Sequence, residues 1–242
     1  MKIPTISAKN LWHWGTLQSE RKFEAGKSWE GNLFSMSACP EAWRAIGRFG
    51  GYELHIQSEP TVMLDMRSVL HGTTSRDKGI RNLITNWALE KKLIEYTEIF
   101  DLSWFDDDLD HNVINQYRTR EEAECERGDE DDDRLITSSL KLISTSTLNL
   151  RHGFRANEIH DIEFAVIDWA KEHIAQHVMG VYWAGRLDPL AYTAPKAGIF
   201  DITKLNLSST DVLPDDKDGL KGVSGVKWIE IPKLDNQSSI QP

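Results

Sequence analysis

Residues 52–66 read YELHIQSEPTVMLDM, and how they are read decides what kind of fold the rest of the chain joins. In the first half Tyr52, Leu54 and Ile56 fall on one face of an extended segment, with polar residues between them, the period-two alternation of a half-buried strand. Pro60 interrupts, because it has no N–H to give to a ladder, and residues 61–66 resume as a second, more apolar strand. A helix comes only afterwards. Over residues 79–93 Ile80, Leu83, Ile84 and Trp87 form an apolar stripe at helical spacing. Two strands in succession followed by a helix are not the steady strand–helix alternation of a parallel α/β fold.

The same grammar extends both ways. Residues 11–14 and 32–36 are short, aromatic or apolar, and read as buried strands. Pro40 suits a first helical turn, and Glu41, Ala42, Trp43, Ala45 and Ile46 continue with helical spacing to a stop at Gly50 and Gly51. Downstream, residues 163–177 predict a helix with Phe164, Ile167, Ala170 and Ile174 on one side. Strands are expected over 178–183, at 199–200 and over 226–231, while 135–150 is rich in Ser, Thr and Leu and 207–221 is polar and turn-rich. The expected class is α+β, a mixed, largely antiparallel sheet core with a few packed helices. Residues 1–242 read as a single domain, with 101–133 as an acidic exposed insertion and 234–242 as a loose tail.

Composition bounds the function. Lys and Arg number 28 against 38 Asp and Glu, a net charge of -10, which argues against a surface built to track nucleic-acid phosphates. The two cysteines, Cys39 and Cys125, are too few and too far apart for a disulfide framework or a thiolate zinc site, so a reduced compartment is expected. Neither a signal peptide nor an apolar run of the roughly 20 residues that cross a bilayer is present, which gives a cytoplasmic reading with no membrane partner. The tract containing WFDDDLDH and REEAECERGDEDDD lacks the spaced aspartates of a calcium loop and reads as a solvated acidic face.

Chemistry concentrates near the start. LWHWGT places His13 at a strand end beside the corner Gly15-Thr16, and GNLFSMSACPEAW leads a strand through Ser35 into the helix bearing Trp43. Over roughly the first fifty residues, up to the helix stop, this resembles the ADP-ribosyltransferase superfamily, in particular its diphtheria-toxin and poly(ADP-ribose) polymerase branch. That branch has an early strand ending in His-Gly-Ser or His-Gly-Thr, then a Gly-aromatic-Phe strand, then a helix of small residues. The resemblance implies NAD as cofactor and transfer of ADP-ribose to a macromolecular target, such as a protein. His13 would then fix the ribose or carboxamide, Trp43 or Tyr52 would stack on nicotinamide, and Gly15, Thr16 and Ser35 would line the cofactor. The late-strand acid Glu230, in KWIEIP, would serve the transition state, since a cation developing at the ribose calls for a fixed negative charge.

The chain departs from that branch in one place: Trp14 separates His13 from Gly15. An intact His71-Gly72-Thr73 follows TVMLDM, without a Gly-aromatic-Phe strand after it, and Ser144, Thr145 and Ser146 resemble the Ser-Thr-Ser of another toxin branch whose Glu-x-Glu is missing here. The loop GRLDPLAYTAPKAG adds Arg186 and Asp188, which read either as cofactor-binding groups on a loop or as an ion pair bracing a turn. His173 and His177 are one helical turn apart but lack the glutamate of a zinc-protease helix. Set against all this stand two other readings: His13 as a packing residue, and the whole chain as a non-catalytic acidic protein acting through protein–protein contact.

Overall fold

The structure is a computed structural model that describes residues 1–14, 33–38, 54–57, 61–105, 111–127, 134–145, 158–183, 197–210 and 222–232. In chain order these form β1 (Lys2–Ala8), β2 (Leu11–Trp14), β3 (Phe34–Met36), β4 (Leu54–Gln57), β5 (Thr61–Asp65), α1 (Met66–His71), α2 (Ser75–Glu90), β6 (Ile94–Phe105) and β7 (His111–Tyr117). There follow α3 (Arg120–Arg127), β8 (Arg134–Ser144), α4 (Glu158–His173), β9 (Gly180–Tyr182), β10 (Ala197–Ile199), β11 (Leu207–Thr210) and β12 (Lys227–Glu230). The helix expected at 41–46, most of the 185–198 loop and the 234–242 tail lie outside the described residues. The class is α+β: helices with mixed, mostly antiparallel sheets. No helix among the described residues is long and apolar enough to cross a membrane.

The chain divides into two compact units, residues 1–81 with 167–242, and residues 82–166, with the dividing points inside α2 and α4. The first unit holds a six-stranded sheet in the order β12-β1-β5-β9-β10-β3 and a three-stranded sheet in the order β11-β4-β2. Among the described residues its strands pair antiparallel except β5 with β9, where Leu64 faces Val181 and Asp65 faces Tyr182. Ile6, Leu11, Phe34, Met36, Met63, Tyr182 and Ile199 pack into one apolar cluster.

Strand β1 has no counterpart in the sequence reading, and the reason is physical. Its Ile3, Pro4, Thr5 and Ile6 are all buried, so the alternation that marks a half-exposed strand is missing. Pro4 is tolerated because it pairs with Trp228 of β12, while the pairing with β5 begins one residue later at Thr5. The N-terminus is tied in as well: the Met1 amine donates to the Ile231 carbonyl at 2.8 Å, and the Ile231 N–H donates back to Met1 at 2.7 Å.

The second unit is built on the sheet β7-β6-β8. Its central strand β6 has no counterpart in the sequence reading although Ile94, Tyr96, Phe100 and Leu102 alternate with other residues, because the strand runs on through Asp101, which opens the tract read as solvated and is buried here. The tract expected as an exposed acidic insertion holds the end of β6, all of β7 and α3. Asp101 is buried there, with Gln116 donating to its Oδ1 at 2.7 Å and the Lys141 ammonium 3.1 and 3.0 Å from its two oxygens. Helix α3 starts with a reciprocal cap in which Glu122 donates its N–H to Thr119 Oγ1 and accepts from the Thr119 N–H, and it buries Ala123. The segment 207–221, read as turn-rich, begins with a strand, β11, paired to β4.

Two expected helices shift toward the N-terminus. Helix α2 begins at Ser75 rather than 79 because Thr74 caps it, its hydroxyl and N–H donating to Asp77 Oδ2 at 2.6 and 3.0 Å while the Asp77 N–H returns to Thr74 Oγ1. It ends at Glu90 rather than 93 because Lys92 turns into the left-handed region (φ 56) and the Leu93 N–H closes back on Ala88 O at 2.9 Å. Helix α4 is shifted the same way, to Glu158–His173, and the expected strand at 199–200 is Ala197–Ile199.

Candidate functional site

Strand β2 carries the residue on which the sequence reading turns. It pairs with β4 on one side, with His13 opposite His55, and on the other side Trp12 forms a two-way bridge to Ser37, the N–H to O distances being 2.7 and 2.8 Å. Leu11 and Trp12 are buried in this strand, while His13 keeps part of its surface. The His13 ring lies against Phe34 with centroids 4.2 Å apart at 39°, and its Nδ1 is 2.8 Å from the Ser35 main-chain oxygen. A carbonyl oxygen only accepts, so the bond puts the proton on Nδ1 and makes Nε2 the acceptor atom of the neutral ring. Fixing one ring nitrogen by a main-chain acceptor is how a protein chooses a tautomer and an orientation.

Of the residues read as a site, the structure brings together His13 and Ser35, the latter through its carbonyl rather than its hydroxyl. It does not bring Glu230 to them. Glu230 is exposed at the end of β12, opposite Lys2, and β12 and β3 are the two outer strands of the six-stranded sheet. Five interstrand steps separate them, about 24 Å along the sheet. Gly15, Thr16, Trp43, Tyr52, Arg186 and Asp188 lie outside the described residues.

The second His-Gly-Thr is a helix joint. Gly72 follows α1 and donates its N–H to Ser68 O at 3.1 Å, and Arg81 reaches back to the Val69 and Gly72 carbonyls at 2.7 and 2.6 Å. A Cβ on Gly72 would sit 2.2 Å from Asp77 Cγ and 2.3 Å from the Ser68 oxygen. Gly72→Ala is therefore expected to lose about 1–3 kcal/mol of stability through overpacking, read from urea unfolding. An unchanged midpoint would mean that α1 and α2 shift apart freely. Ser144 and Thr145 are likewise a closure. Ser144 is buried opposite Ile94, and Thr145 donates from its N–H and its hydroxyl to Leu93 O at 3.0 and 3.2 Å.

Groups missed by the sequence reading line the end of the parallel pair. Strand β5 ends at Asp65, which is buried and accepts from the Arg67 N–H and Nε and from Ser68 Oγ, at 3.3, 2.6 and 2.9 Å. The Arg67 guanidinium carbon stands 5.3 Å from the centre of the Tyr182 ring. The available signal was LDMRS directly after an apolar strand, an aspartate placed to cap the next helix with an arginine two residues on. On α4, burial pushes the Asp168 carboxyl up and the Lys171 amine down, each opposed by the other's charge. Asp168 keeps contact with solvent, and the i,i+3 spacing is that of a helix-surface pair. Among the described residues no group of three or more His, Cys, Asp or Glu is placed to hold a metal ion. No protein-family model, curated protein or solved structure matches the chain.

Proposed function

We propose that the unit formed by residues 1–81 and 167–242 is an ADP-ribosyltransferase-like domain that takes NAD and transfers its ADP-ribosyl group to a macromolecular target. The observation that supports this reading is His13: one ring nitrogen tied to the Ser35 carbonyl, one face on Phe34, and part of its surface exposed at the end of a buried strand. An imidazole held in that way has a fixed tautomer and orientation, with its Nδ1 proton given to Ser35 and Nε2 as its acceptor atom, and a polar group fixed in place is what orienting a nicotinamide riboside calls for. A cytoplasmic location belongs to the same reading, since exposed Cys125 is a free thiol. The test is binding linkage. Free NAD at a hundred times its dissociation constant should stabilise the fold by about 2.7 kcal/mol, and slow release of nicotinamide should accompany it.

A second reading has its own observation. On α3 Glu121, Glu122 and Glu126 are exposed on one side of the helix while Glu124 pairs with Arg120 on the other, and that acidic side suits a basic protein partner. No thermal shift at any NAD concentration, together with no nicotinamide release, would transfer the conclusion to that binding role.

A further inference from the structure

We infer that Arg67 is a pre-set receptor for a phosphoryl oxyanion, and, resting on the NAD reading for the ligand's identity, that it takes the diphosphate of the dinucleotide. The inference starts from how firmly this arginine is held. An exposed arginine is ordinarily a long, mobile chain whose ordering opposes binding. Arg67 is held on one edge, where Nε donates to Asp65 Oδ1 at 2.6 Å, and its guanidinium carbon lies 5.3 Å from the centre of the Tyr182 ring. Asp65 is itself immobile, buried at the end of β5 and further engaged by Ser68 Oγ at 2.9 Å. Yet the anchoring uses only the Nε edge. Among the described residues Arg67 Nη1 and Nη2 donate no hydrogen bond, and the side chain keeps 35% of its surface.

An oriented guanidinium with both Nη groups to offer presents a planar fork that matches two oxygens of one phosphoryl group. Lysine in its place would give a point charge without the fork. The position fits as well. Asp65 and Tyr182 end the parallel strands β5 and β9 side by side, so Arg67 stands where both strands stop at one end of the sheet. In register across the sheet, Asp65 faces Tyr182, Tyr182 faces Ala197, and Ala197 faces Met36, the residue next to Ser35. Three interstrand steps, about 14 Å, thus separate the strand that leads into Arg67 from the strand whose carbonyl holds His13. An extended dinucleotide covers such a span, with nicotinamide riboside at His13 and diphosphate toward Arg67.

The test is calorimetric titration of the full chain with ADP, inorganic pyrophosphate, nicotinamide, NAD and succinate, on wild type and Arg67→Lys. The lysine variant keeps the charge beside Asp65. It should bind ADP and pyrophosphate at least tenfold more weakly and nicotinamide unchanged. In parallel, phenylglyoxal labelling of the wild type, mapped by mass spectrometry, should show Arg67 protected by pyrophosphate, a readout that stands even if the variant misfolds. Tenfold loss for ADP and pyrophosphate in a protein that neither binds nor cleaves NAD would keep the phosphoryl site and remove the NAD reading. Equal NAD affinity in both proteins would keep the NAD reading and overturn the role of Arg67. Absence of phosphate binding to wild type, labelling unaffected by pyrophosphate, or succinate binding as well as pyrophosphate would each overturn the phosphoryl assignment.

Discussion

Trp12→Ala should cost about 3–5 kcal/mol of folding stability, whereas His13→Ala, one residue on, should cost about 1 kcal/mol and abolish NAD-dependent turnover. The two side chains sit in different surroundings on one short strand. Trp12 is buried, in the strand that bridges β3 and β4, so its removal opens a cavity between the strands that carry the site. His13 is partly exposed and contributes one hydrogen bond to Ser35 and a ring contact to Phe34, while the pairing of β2 rests on its main chain. Urea unfolding and nicotinamide release measured on both variants decide the matter. If His13→Ala unfolds as readily as Trp12→Ala, the histidine is packing and the transferase proposal loses its support. Glu230→Gln is the companion variant. From its place on β12 it should retain turnover, and a hundredfold loss would require β12 and β3 to approach in the working state.

Asp101→Ala should destabilise the unit formed by residues 82–166 by about 3 kcal/mol, the lower end for a broken buried ion pair. Its carboxylate is held by Gln116 at 2.7 Å and by Lys141 at 3.0 Å, with side-chain exposures of 12% for Asp101 and 21% for Lys141. Removing it leaves the ammonium and an amide without their acceptor on a largely covered sheet face. Because Lys141 reaches some water, the loss should stop short of the full penalty of a dry interior. The double variant Asp101→Leu with Lys141→Met should recover most of the loss, since a matched apolar pair demands no solvation. Equilibrium unfolding of the single and double variants tests this. A single variant within about 0.5 kcal/mol of wild type would place the pair among surface ion pairs.

The chain itself determined the elements whose two sides differ. Period-two alternation in YELHIQ, the short run LWHW and the VKWIEI segment correspond to β4, β2 and β12, and the stripe from Ile80 to Trp87 corresponds to α2. Caps are equally local, although the sequence reading did not use them: Thr74 with Asp77 and Thr119 with Glu122 stand three residues apart and bond as that spacing dictates. What the chain could not disclose is what burial on both faces erases. Strand β1 carries no alternation because neighbours cover both sides, and in β6 an aspartate-rich tract hides in Asp101 a charge that is buried only because Gln116 and Lys141, 15 and 40 residues away, arrive beside it. Pairing between distant segments likewise decided the site. His13 is oriented by a carbonyl 22 residues downstream, Arg67 meets Tyr182 only because β5 and β9 run parallel, and Glu230 is carried to the far edge of the sheet by its pairing with Lys2. Local spacing sets propensity and capping, whereas proximity between remote residues depends on strand order and register, which are fixed only when the sheets close around a shared core.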